Sequence, residues 1–132
     1  MRFLIVIFSL LLFVPFGYAD GHGESCNLEI AAGDTLKFDK TELQISSSCE
    51  KVTVTFVHTG KLPATVMGHN WVLSKTADVK LIASDGLTAG ASSGYIKAGD
   101  ERVIAATNII GGGQTTSVSF GAEQLSSAES YT

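Results

Sequence analysis

The chain has 132 residues, 45% of them hydrophobic, a formal net charge of −4 and only two cysteines. That length suits one domain with a hydrophobic core of its own. A mildly acidic chain with no block of like charge argues against a nucleic-acid or anionic-lipid partner, and two cysteines without a C-x-x-C pair do not make a structural zinc or iron–sulfur site.

The first predicted element is a leader. Arg2 precedes an unbroken apolar run from Phe3, which ends in Gly17-Tyr18-Ala19. Small residues at these places fit a secretory signal peptide over residues 1–19, cleaved after Ala19 so that the exported chain starts at Asp20. The run is short for a membrane span and has no stop-transfer flank, so no stable membrane insertion is expected after cleavage. Losing Arg2 makes the exported chain one unit more negative. Export to an oxidising compartment favours a disulfide between Cys26 and Cys49. Closing that loop is worth about 3 kcal/mol in the chain-entropy model.

From Cys26 onward apolar residues alternate with polar ones, the period of a half-buried strand. Leu28-Glu29-Ile30, Leu36-Lys37-Phe38 and Leu43-Gln44-Ile45 each alternate, and Val52, Val54 and Phe56 share one face of a longer run that ends at His58. Turn residues separate these pieces, as expected of an antiparallel sandwich or barrel. Asn70 to Ser74 reads as a further strand. Thr76 to Leu87 fits a short helix capped by Thr76 and ended by Asp85-Gly86. Arg102 to Ile110 and Thr115 to Phe120 read as two more strands, joined by a hairpin turn at Gly111-Gly112-Gly113. That triple glycine is not a phosphate loop, since no G-K-[ST] follows and the next segment alternates. Residues 20–132 thus read as one all-β domain with a short helical insertion, and the polar run from Gly121 stops at Tyr131-Thr132 where a closing strand would be expected.

For catalysis the inventory is thin. There is no G-x-S-x-G, no H-E-x-x-H and no paired carboxylate spacing. Of three histidines, His22 lies near the exported terminus and could take copper(II) only adventitiously. His58 continues the inward parity of Val52, Val54 and Phe56, which predicts a core histidine held by one hydrogen bond. His69 stands in Val66-Met67-Gly68-His69-Asn70-Trp71-Val72-Leu73-Ser74, where Gly68 permits close backbone approach and Asn70 can tie down a neighbouring loop. On these residues alone His69 is either a buried structural histidine or a metal ligand.

The segments quoted resemble the azurins, a family of bacterial blue copper proteins. The two cysteines have the family's spacing. His58-Thr59-Gly60-Lys61-Leu62-Pro63 is similar to its H-P-G-x-L-P segment, and residues 66–74 to its V-M-G-H-N-W-V-L-S. Asp78, Asp85-Gly86, Tyr95 and Arg102 to Ala105 are similar too. The resemblance implies a Greek-key β-sandwich of the cupredoxin type around one mononuclear type 1 copper ion. It implies a periplasmic one-electron carrier, not an enzyme, that exchanges electrons with redox proteins such as cytochromes and copper enzymes. It makes His69 a copper ligand and the Gly68 carbonyl a weak axial contact, with Asn70 orienting the ligand loop and hydrogen-bonding to the ligating sulfur. Leu36, Leu62, Val66, Met67 and Leu87 become either an apolar patch where partners dock or ordinary half-buried apolar residues.

The resemblance also has a departure. In azurins one late loop brings a cysteine, a histidine and a methionine to the metal. This sequence has no cysteine after Cys49, no histidine after His69 and no methionine after Met67. Ala106 also stands where family members can carry a surface histidine. The expectation is an incomplete chain that lacks the last two strands and the ligand loop, folds poorly, and does not bind copper normally. The alternative is an exported, metal-free β-sandwich module that has lost the site. A copper–zinc superoxide dismutase-like enzyme would need several histidines, some closely paired, and fits less.

Overall fold

The computed structural model describes residues 25–132. The expected signal peptide and His22 lie outside them. Five strands and two short α-helices form two sheets with a core between them. β1 is Asn27–Ala32, β2 Lys51–His58, β3 Val72–Ser74, β4 Val103–Ala106 and β5 Thr115–Gly121, while α1 is Ala64–Met67 and α2 Val79–Ala89. One sheet has the order β1-β2-β5 and the other pairs β3 with β4.

β2 organises the first sheet. Its alternation buries Val52, Val54, Phe56 and His58 on one face and leaves Lys51, Thr53, Thr55 and Val57 less buried on the other. Period-two patterning in an eight-residue strand fixes the register, because a one-residue slip would turn the whole apolar set outward. β2 pairs antiparallel with β5 and parallel with β1, so the all-antiparallel expectation is corrected at that pair. The linker between β1 and β2 has to cross over, which a parallel pair requires. Cys26 and Cys49 are joined as a disulfide at one end of this pair, with Cα atoms 5.5 Å apart. Ile30, Val54, Phe56 and Phe120 from this sheet meet Trp71, Leu73, Ala105 and Ile110 from the other side. An apolar cleft of about 500 Å³ reaches Ile30, Val54, Trp71, Leu73 and Phe120 between the sheets.

Other expectations change as well. Leu36-Lys37-Phe38 and Leu43-Gln44-Ile45 are not strands. They contribute single bridges, Ala32 to Phe38 and Ser25 to Ile45. Leu36 takes a left-handed conformation at φ 56°, which breaks any strand there. The helix does not stop at Asp85-Gly86. It runs to Ala89 and ends on Gly90 at φ 79°, the left-handed end that glycine adopts freely. Thr76 makes no capping bond, and its hydroxyl meets that of Thr132 instead. The triple glycine is not a hairpin turn, since β4 and β5 belong to different sheets. It packs against the loop after β2, where a Cβ on Gly112 would stand 2.6 Å from the Gly60 oxygen. The polar end of the chain does pair: Ser74 and Thr132 exchange two backbone hydrogen bonds of 3.0 Å.

The loop between α2 and β4 is held by charge. Arg102 grips Asp100 through Nε–H to Oδ1 at 2.7 Å and Nη2–H to Oδ2 at 2.6 Å, and also donates to Asp85 of α2 at 2.7 Å. The side-chain hydrogen bonds from Arg102 hold the Asp100 carboxyl below its ordinary value of 3.8, against the opposing effect of burial. A lowered folded-state value means a stabilisation present above 3.8 and lost as pH falls through the depressed value. In thermal melts taken at decreasing pH, the wild type is expected to lose stability below 3.8 more steeply than Asp100→Asn, which has no such carboxyl to protonate. Parallel curves would show that this pair contributes nothing.

Candidate metal centre

His69 lies between α1 and β3, and its backbone is fixed first. Its N–H donates to the Ile110 carbonyl at 3.1 Å and its carbonyl accepts from the Ile110 N–H at 2.9 Å. α1 ends at Met67 and is capped by Gly68, where a Cβ would fall on the Ala64 carbonyl and lie 2.7 Å from Cγ2 of Ile109. Close packing, not an unusual φ, demands glycine there, since Gly68 has φ −75°.

The ring is fixed next. Nε2 of His69 lies 2.7 Å from the Gly33 carbonyl oxygen. A carbonyl can only accept, so Nε2 carries the proton and donates. In the neutral ring Nδ1 then holds the free lone pair. It has no hydrogen-bond partner among the described residues. A ring nitrogen tied to a backbone carbonyl, with the other nitrogen left open, is the arrangement that prepares an imidazole to bind a metal.

His58 backs this ring. The two imidazoles stack with centroids 4.8 Å apart and planes 20° from parallel. His58 is 1% exposed and is held by two hydrogen bonds, one more than expected. The Gly60 N–H donates to Nδ1 at 3.1 Å, so Nε2 carries the proton and donates to the Met67 carbonyl at 2.7 Å. His58 thus ties the last turn of α1 to the loop after β2 and gives His69 a rigid wall.

Asn70 donates from Nδ2 to the Gly94 carbonyl at 2.9 Å, so its amide anchors the loop after α2. Leu36, Val66 and Leu87 are 75%, 65% and 77% exposed, Leu62 is 38% exposed, and Met67 is half-buried. Leu62, Val66 and Met67 sit on neighbouring stretches around His58 and His69, whereas Leu87 belongs to α2. Sequence reasoning proposed His69, Gly68 and Asn70 as site residues. It missed the Gly33 carbonyl and the stacking role of His58, which depend on contacts between distant segments and leave no local signal.

The open donor gathered here is Nδ1 of the His69 imidazole. Both cysteines are consumed in the disulfide, and no group of three or more His, Cys, Asp or Glu side chains among the described residues is placed to hold a metal ion. These residues therefore fit one arm of a histidine-bound metal centre and not a complete one.

Known proteins resemble this chain over most of its length. The sequence model described as copper binding proteins of the plastocyanin/azurin family matches residues 24–132. The azurin of Bordetella pertussis is 49% identical over 107 residues, covering 81% of this chain and 71% of that one. Azurin-1 of Alcaligenes xylosoxydans xylosoxydans is 48% identical over 106 residues, covering 80% of this chain and 82% of its own. Among solved structures, the azurin Az-iso2 from the obligate methylotroph Methylomonas sp. strain J is similar at a TM-score of 0.78 and 47% identity, covering 81% of this chain and 83% of that one. With a β-sandwich, a helical insertion, a disulfide at the edge of the sheet and matches of this extent, the chain belongs to the plastocyanin/azurin family of copper-binding proteins.

Proposed function

We propose that this chain is the larger part of a periplasmic one-electron carrier, with His69 and the Gly68 carbonyl as its contribution to a mononuclear type 1 copper site. The observation that carries the reading is the 2.7 Å hydrogen bond from His69 Nε2 to Gly33, which leaves Nδ1 as a preset donor. A copper ion in a site of two histidines and a thiolate supplies one-electron exchange, and a rigid frame keeps reorganisation small. These 132 residues hold no free thiolate, so that donor comes from outside them. The apolar cleft between the sheets is room for further chain to pack. Asn70, by holding the Gly94 loop, keeps the ligand segment in place, and it would hydrogen-bond to a ligating sulfur. Leu36, Leu62, Val66, Met67 and Leu87 form the apolar surface on which redox proteins such as cytochromes and copper enzymes would dock. Residues 1–19 are the signal that exports it, and no step of bond-making chemistry is assigned to it.

The test is expression from the native gene, read through whatever follows the codon for Thr132. The expected product takes up copper(II) with an intense thiolate-to-copper visible band and a reversible one-electron couple, and His69→Ala abolishes the band. The 132-residue chain alone is expected to stay colourless with copper(II). A native gene product that folds cooperatively and stays colourless overturns the carrier reading in favour of a metal-free exported module.

A further inference from the structure

A closed circuit of contacts surrounds His69, and Asp34 is the one member that takes part through a charged side chain. The circuit starts at the end of β1. Thr59 N–H donates to the Ala32 carbonyl at 2.9 Å, continuing the β1–β2 pairing one residue past β2. The next two residues, Gly33 and Asp34, turn across the loop after β2. The Asp34 carboxylate accepts from the Lys61 N–H at 2.9 Å and, more weakly, from the Leu62 N–H at 3.4 Å. It sits so close to Gly60 that a Cβ there would fall on the carboxylate. Gly60 in turn donates to His58, which stacks on His69, and His69 donates to Gly33.

The peptide plane between Gly33 and Asp34 is the member that matters to His69, because its oxygen accepts the Nε2 proton. On one side this plane hangs from glycine, whose backbone rotates freely and does not fix the carbonyl direction. On the other side it hangs from Asp34, whose side chain is clamped to two backbone N–H groups. Hydrogen bonds to an ionised acceptor are roughly twice as strong as neutral ones. The restraint on the carbonyl therefore comes through Asp34.

We infer that Asp34 is a positioning residue: its carboxylate, seated on the Lys61–Leu62 backbone, aims the Gly33 carbonyl at His69 and so keeps the metal-facing Nδ1 unprotonated. This assignment rests on the carrier reading for its purpose, but not for its geometry, which holds in the metal-free protein. A substitution that frees the Gly33 carbonyl should let the neutral His69 ring populate the other tautomer, with the proton on Nδ1, the atom a metal needs.

The experiment is long-range ¹⁵N–¹H correlation on uniformly ¹⁵N-labelled native gene product, stripped of metal, at a pH where His69 is neutral. The wild type is expected to show the Nε2–H tautomer. Asp34→Ala is expected to raise the ratio of Nδ1–H to Nε2–H about five-fold, the effect of losing one neutral hydrogen bond. Asp34→Asn keeps one acceptor oxygen but turns an N–H₂ toward the second backbone donor, so it should give a smaller rise while preserving the fold. A thermal melt of each variant runs alongside. If either folded variant melts earlier yet keeps the wild-type tautomer ratio, Asp34 merely stabilises the loop and the proposal fails. If Asp34→Ala does not fold, Asp34→Asn decides alone. A colourless gene product that still shows the tautomer change would sink the carrier reading and leave the positioning role standing. A blue product without the change would do the reverse.

Discussion

Phe56→Ala is expected to destabilise the protein by about 4 kcal/mol, close to the whole stability of many small domains. Phe56 has no solvent exposure and stands mid-strand in β2, opposite Ile30 of β1 and Thr116 of β5. Both neighbours are locked into ladders, so the walls of the void cannot close. Phe38, which lies outside the ladders of both sheets, meets Phe56 edge-on with ring centroids 6.0 Å apart and is 47% exposed. Equilibrium urea unfolding measures the effect. A loss below about 1.5 kcal/mol, small for deletion of a buried aromatic ring, would mean that Phe38 swings in to fill the space.

Replacing both Cys26 and Cys49 by Ala is expected to remove about 3 kcal/mol and to lower the melting temperature by roughly 10–20 °C. The two residues are 23 apart in sequence, and the bond closes that span in the unfolded chain. It also packs: Cys49 is 8% exposed, and Cys26 lies against the same core cluster. Thermal melts of the double variant and of wild type under a strong reductant should agree, because both remove the same constraint. A loss under about 1 kcal/mol in both would show that the unfolded chain already holds the two ends together, contrary to the chain-entropy account.

The strands that could be read from the sequence are those with one face against the core. Val52, Val54 and Phe56 alternate because β2 is central in its sheet and buried on one side only. Leu36-Lys37-Phe38 alternates in the same way and is a loop. There the left-handed backbone at Leu36 turns that side chain to solvent, while Phe38 folds back over Phe56. Apolar parity carries no record of such a turn, and leucine is a poor advertisement for a positive φ. Gly86 misleads for a related reason. It looks like a helix terminator, but it is glycine because the Tyr95 carbonyl lies where its Cβ would be.

The site divides along the same line. His69 and its flanking Gly68 and Asn70 are contiguous, so a resemblance in one short run of residues was enough to propose them. Gly33 and His58 meet His69 only because β1 and β2 pair side by side, and nothing in Gly33-Asp34 marks it as lying near that ring. A backbone carbonyl has no residue identity to recognise. Its part is visible only once the fold sets it 2.7 Å from an imidazole nitrogen.

The side-by-side, same-direction arrangement of β1 and β2 also bears on how quickly the native state can be reached. Strands of this kind must be brought together across an intervening segment before any of their bonds reward the encounter, and such topologies fold slowly. Here the covalent link at Cys26 sits beside the first matched residues, Asn27 and Thr53. Once oxidised, the chain starts its search with that end of the ladder already aligned, so the disulfide acts as a kinetic guide as well as a reinforcement.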